Sequence, residues 1–213
     1  MKRGMYLSLV KPGAEEAFER FAAASGPERR RALEGAGVVT FSAFRHDRVV
    51  CVYFETTAAR AAFEWEPAAG EWLESWPGVA GARLAVPMID IFHDGDPVDI
   101  SSWRGDRQVE KRAGALARLK PDMFASYVFY HFQLQEETPE SFNKTYTIGT
   151  HESFIFSYCE HPGVVSEIKP KGQLATSNTP ADWHEVMGPH FDRWENAAEG
   201  QELWVPMKSL FEF

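Results

Sequence analysis

The chain has 213 residues, 44% of them hydrophobic and 14% aromatic, enough for a packed core in one or two domains. Its formal charge of −9 excludes the basic footprint of a nucleic-acid binder, and no apolar run reaches membrane-spanning length. Cys51 and Cys159 fall in hydrophobic, strand-like stretches and read as reduced thiols rather than a disulfide framework or metal site. The N-terminal stretch carries no apolar h-region followed by a small-residue cleavage site, so a soluble, cytoplasmic protein is expected.

Residues 3–11 alternate, with Met5, Leu7 and Leu9 set against Tyr6, Ser8 and Val10, and Pro12-Gly13 ends this strand. Residues 14–24 read as an amphipathic helix that Gly26-Pro27 breaks or kinks. Residues 29–34 look helical again, and the run Arg29-Arg30-Arg31 between Glu28 and Glu34 reads as a solvated face. Strands over 38–45 and 48–55, joined at His46-Asp47, make a hairpin. A helix over 57–76, interrupted at Pro67, and a strand over 83–92 complete the first half. Residues 94–110 are a polar connector. The second half repeats the order: a strand over 113–120, a helix over 122–136 capped by Asp122, and hairpin strands over 142–149 and 153–160. A long loop or lid over 163–180, a helix over 181–196 and a strand over 203–212 follow.

The halves also match residue by residue. Lys111-Arg112 through Lys120-Pro121 parallels Lys2-Arg3 through Lys11-Pro12, since 111−2 and 120−11 both give 109. Val205-Pro206-Met207 parallels Val86-Pro87-Met88. The expected fold is therefore α+β: two tandem ferredoxin-like β-α-β-β-α-β repeats, residues 1–94 and 111–213, joined by a linker over 95–110. Two such sheets can press their open faces together, so one chain would form the intramolecular counterpart of a dimeric α+β barrel, with further homodimerisation left open.

Two copies can diverge, and the first helices do. In register, Phe18 faces Tyr127, Phe21 faces Tyr130 and Ala22 faces His131. Tyr127 and His131 are one helical turn apart on one face, where a phenol and an imidazole can converge on a ligand. Histidine exchanges protons near neutrality. The structural alternative is a hydrogen-bonded core histidine beside a half-buried aromatic. Trp194 can stack on an apolar sugar face or fill the core, and Glu195 can act as a second acid/base or simply face solvent. Trp65, Trp72, Trp76, Trp183 and Trp204 read as core or rim. No phosphate loop, dinucleotide fingerprint, nucleophile elbow or zinc spacing is present.

These residues resemble the L-rhamnose mutarotase family, small enzymes of the dimeric α+β barrel type. The resemblance covers most of the second copy. It rests on Leu119-Lys120-Pro121 at the first strand end and on Tyr127-x3-His131, similar to the family's Tyr-x3-His catalytic pair. Tyr146-Thr147-Ile148, Phe156 through Glu160, Arg193-Trp194 and Leu210 through Phe213 also resemble family motifs. The first copy departs at Phe18 and Ala22, and the second carries Glu195 where the family has a second tryptophan.

The resemblance implies a sugar mutarotase interconverting α and β anomers of a monosaccharide such as a 6-deoxyhexose, with no cofactor or metal. It implies His131 as acid/base and Tyr127 as its partner; Trp194, Tyr130, Glu195 and Tyr146 are the candidate substrate-binding residues. An α+β-barrel cyclase or isomerase of polyketides, a haem enzyme of the same barrel type, and a non-catalytic small-molecule binder are the alternatives.

Overall fold

The computed structural model describes residues 1–79, 81–167 and 169–213. Eleven strands are assigned among them: β1 (Lys2–Leu9), β2 (Val38–His46), β3 (Val49–Thr56), β4 (Val86–Pro87), β5 (Ile89–His93), β6 (Lys111–Leu119), β7 (Thr147–His151), β8 (Phe154–His161), β9 (Phe191–Asp192), β10 (Val205–Pro206) and β11 (Lys208–Glu212). The helices are α1 (Glu15–Ala24), α2 (Gly26–Gly35), α3 (Ile100–Trp103), α4 (Phe124–Glu137) and α5 (Trp183–Met187). The fold is mixed α+β with two antiparallel sheets, in the orders β11-β2-β3-β1-β4 and β10-β6-β8-β7-β5.

The chain divides into two compact units at points other than the expected boundaries. One unit holds residues 1–88, 97–105 and 207–213; the other holds 89–96 and 106–206. The reason lies at the sheet edges. Val86-Pro87 pairs with β1, but the next strand, β5, pairs with β7 of the second unit. Likewise Val205-Pro206 pairs with β6, and β11 pairs with β2 of the first unit. Each exchanged strand completes a ladder whose backbone groups would otherwise lack partners.

In the first unit, β3 is buried along its whole length and β1 buries Met5 and Leu7. Phe18, Phe41, Phe54, Trp65 and Leu73 centre its core. Gly26-Pro27 separates α1 from α2, because proline fits the first turn of a helix and not its interior. Arg29 does not lie on the solvated face expected of it. It is 6% exposed, its guanidinium lies 4.9 Å from the Trp65 ring centroid, and Nε reaches Glu66 Oε2 at 3.2 Å. In the second unit Phe92, Leu119, Tyr127, Ile148 and Ile155 centre the core. Cys51 is buried, Cys159 is half-buried, and both thiols are free.

Both long crossover helices expected from sequence are much shorter. The region 57–76 contains one 3-10 turn, Pro67–Glu71, and 181–196 contains α5 and the 3-10 turn Gly188–His190. Proline explains both. Pro67 has no N–H to donate, and its predecessor Glu66 is extended at φ −56°, ψ 145°. Pro189 sits in the turn that ends α5. Asp122 does not cap α4; it lies in a 3-10 turn, Pro121–Met123, and Met123 holds the cap position. Ile168, within the expected loop over 163–180, lies outside the described residues.

Each unit buries one carboxylate completely. Glu55 Oε1 accepts from the Tyr53 hydroxyl at 2.7 Å and from Trp103 Nε1 at 2.9 Å, while Arg104 Nη2 donates to Oε2 at 2.8 Å. Glu160 Oε1 accepts from the Tyr158 hydroxyl at 2.8 Å, and Arg107 pairs with Oε2. Removing one partner of such a buried pair leaves an uncompensated charge. Glu55→Ala is expected to lower stability by about 3–5 kcal/mol, and Tyr53→Phe by about 1 kcal/mol. Urea unfolding of both variants checks this; equal, small losses would show that the carboxylate is not the anchor.

Candidate functional site

Helix α4 reads Phe-Ala-Ser-Tyr-Val-Phe-Tyr-His-Phe-Gln-Leu-Gln-Glu-Glu, with no glycine or proline to interrupt it. Its apolar stripe faces the sheet, which buries Tyr127 and His131 one turn apart at 1% and 5% exposure. Their rings stack obliquely, with centroids 4.1 Å apart at 34°. His131 Nδ1 is 2.9 Å from the Tyr127 carbonyl oxygen. A carbonyl only accepts, so Nδ1 carries the hydrogen and Nε2 is left as the basic nitrogen.

These groups border a cavity of about 270 Å³ within the second unit. Tyr146 and Ile148 line it from the sheet side, Trp183, His184 and Met187 from the α5 turn, and Leu203 and Trp204 from the segment before β10. Trp183 meets His131 edge-on, with centroids 4.9 Å apart at 79°.

Burial sets the protonation states. It pulls His131 down to about 4, against the hydrogen bond to Tyr127 and with a smaller push from His190. Burial drives the Tyr127 phenol well above its ordinary value and takes Tyr146 to about 12. At neutral pH the cavity therefore presents an uncharged imidazole beside uncharged phenols.

The structure brings Tyr127, His131 and Tyr146 together and leaves the other expected site residues outside the cavity wall. Tyr130 packs against Phe129 and His190. Trp194 is not on a helix; the Arg118 guanidinium lies 4.4 Å from its ring centroid. Glu195 is exposed in a turn. The aromatic wall comes instead from Trp183 and Trp204, which the sequence had placed in core or rim. A five-residue α5 is too short to carry a periodic signal for Trp183. His190 also went unrecognised: it is buried, its Nε2 lies 2.7 Å from Ser126 Oγ, and its ring packs 6.0 Å from Tyr127.

At the positions 109 residues earlier the first unit has Phe18 and Ala22, neither of which can transfer a proton. Phe18 and Ala22 are fully buried, Trp65 packs edge-on against Phe18 at 5.4 Å, and Arg29 Nη1 donates to the Ala22 carbonyl at 3.1 Å. Among the described residues no group of three His, Cys, Asp or Glu side chains is placed to hold a metal ion, and no helix is long and apolar enough to cross a membrane. The chain matches no family model, no curated protein and no solved structure.

A lowered histidine pKa has a consequence for stability. Between pH 6.5 and about 4 the unfolded chain accepts a proton at His131 that the folded chain refuses. This contribution is complete above pH 6.5 and is lost as pH falls toward 4, with a slope of at most about 1.4 kcal/mol per pH unit. Urea unfolding across this range should show wild type losing stability faster than His131→Phe. Parallel curves would mean that His131 is not desolvated.

Proposed function

We propose that the second unit is a mutarotase-like acid/base catalyst acting on the anomeric centre of a monosaccharide, a 6-deoxyhexose being the first candidate. The observation that carries this reading is the pairing of a neutral His131, its Nδ1 tied down and its Nε2 free as base, with a protonated Tyr127 beside one small cavity. The equivalent helix face of the first unit holds only Phe18 and Ala22. We also read each unit as a ferredoxin-like copy, supported by the shared orders β4-β1-β3-β2 and β10-β6-β8-β7.

Anomer exchange needs a proton taken from the anomeric hydroxyl and one given to the ring oxygen. The ring then opens to the aldehyde, rotates and closes on its other face. His131 Nε2 is the base and the Tyr127 hydroxyl the acid, each contributing roughly 10²–10⁴-fold. The return step reverses both transfers, so neither group needs an external proton source. Trp183 takes the stacking role first assigned to Trp194, because it forms part of the cavity wall and Trp194 does not. A cavity of about 270 Å³ falls just below the usual size of ligand sites, about 300 to 1,000 Å³. That favours a single sugar ring over a multi-ring polyketide.

Magnetisation-transfer NMR on L-rhamnose, L-fucose, D-glucose and D-ribose tests the reading. Wild type should accelerate exchange of one sugar, and His131→Ala should lose at least about 100-fold. Trp183→Ala should weaken binding more than Trp194→Ala. No acceleration on any sugar, or full activity in His131→Ala, would move the assignment to a cyclase or a non-catalytic binder.

A further inference from the structure

Among the described residues between β8 and α5 no helix or strand is assigned, yet residues 172–179 are held firmly against the end of α4. The Gly172 backbone lies so close that a Cβ there would sit 2.4 Å from the Glu137 carbonyl oxygen and 2.6 Å from that of Glu136. Leu174 N donates to the Glu136 carbonyl at 3.1 Å. The Glu137 carboxylate then accepts along the strap. Asn178 N reaches Oε1 at 2.7 Å, Thr179 N reaches Oε2 at 3.0 Å, and the Thr176 hydroxyl is 2.7 Å from Oε1. Gln133, one turn earlier and buried, accepts from Asn178 Nδ2 at 3.1 Å. Hydrogen bonds from Thr179 and Thr176 hold the Glu137 carboxyl down to about 2, so the clasp keeps its charge at any ordinary pH.

After Thr179 come three residues, Pro180, Ala181 and Asp182, and then Trp183, whose ring meets His131. The same helix thus carries Tyr127 and His131 on its middle turns and the clasp, Gln133 and Glu137, on its last. The first unit has no such arrangement. In the 109-residue register its counterparts are Ala24 and Glu28, and its crossover is held by Arg29 pairing with Glu66 at 2.5 Å. The clasp occurs in the unit whose cavity is bordered by Tyr127 and His131.

We infer that Glu137 is a positioning residue: its carboxylate fixes the strap over 172–179, and the strap sets the Trp183 indole as the wall facing His131. The kinetic part of this inference rests on the proposed function; the structural part does not. Two unlike perturbations should converge. Glu137→Ala removes the acceptor, and Gly172→Ala lifts the strap by steric clash. Glu137→Gln keeps one acceptor oxygen and should lie between wild type and Glu137→Ala. Glu199→Ala, an exposed turn carboxylate, should behave as wild type.

The full chain labelled with 5-fluorotryptophan gives a ¹⁹F resonance for Trp183, assigned by its absence in Trp183→Phe. Both loosening variants should shift or broaden that resonance and raise amide exchange over 174–179 by about tenfold or more. On a turned-over sugar they should raise KM several-fold with a smaller change in kcat. A folded Glu137→Ala with an unchanged ¹⁹F spectrum and unchanged protection would overturn the inference. A moved resonance in a protein that turns over no sugar would uphold the clasp and refute the mutarotase reading.

Discussion

A carboxylate with no access to water is the constraint around which each unit is arranged. Glu55 and Glu160 are the penultimate residues of β3 and β8, each two residues after a tyrosine that donates to it. A buried carboxylate is costly without a paired cation; Arg104 pairs with Glu55, and Arg107, together with Arg112 at 3.7 Å, pairs with Glu160. Arg104 and Arg107 lie in the short stretch the sequence marks only as a polar connector. That stretch is consequently part of both units' interiors, with Trp103 buried at 4% exposure. The course of the connector follows from the need to neutralise two buried charges.

The candidate site lies where two helix positions differ from those 109 residues earlier in the sequence. At equivalent helix positions one unit packs Phe18 and Ala22, and the other packs Tyr127 and His131. Substituting polar for apolar groups in a buried place is costly unless they are hydrogen-bonded. His131 meets this through Nδ1 and the Tyr127 carbonyl, and the residue borders the cavity. The same burial that makes the site expensive keeps the imidazole neutral and the phenols protonated. In the first unit the equivalent region is organised by Arg29 instead. A charged residue that periodicity assigns to solvent is there held by Glu66 and surrounded by aromatic rings.

Proline has as much influence on the candidate site as the Tyr127 and His131 pair. Had 181–196 continued as one helix, Trp194 would have been carried on a helix face as the sequence pattern suggests. Pro189 ends the helix, the chain turns into β9 to pair with β6, and Trp194 comes to lie under Arg118. The aromatic wall is then supplied by Trp183 at the start of α5 and by Trp204 near the chain's end. Pro67 has the same effect in the first unit, where residues 57–76 pack as irregular chain around Trp65 and Leu73.

The sequence by itself determined the α+β class, the strands near 3–11, 38–45, 48–55, 113–120 and 153–160, the hairpin at His46-Asp47, and Tyr127 with His131 as the pair that departs from Phe18 and Ala22. These follow from local rules: alternation, helical spacing, turn residues and an internal repeat all act within a few residues or at constant offset. Tertiary structure alone decided four other things. Strands β5 and β11 left their own halves because a ladder edge elsewhere could satisfy their backbone groups. Arg104 and Arg107 turned inward to the buried carboxylates of Glu55 and Glu160, and Arg29 was buried against Glu66 and aromatic rings. The crossovers did not form long helices because proline withholds a donor at Pro67 and Pro189. Trp183, rather than Trp194, came to face His131, since that wall depends on where an irregular strap is tied down, and a strap without periodicity leaves no pattern in the sequence.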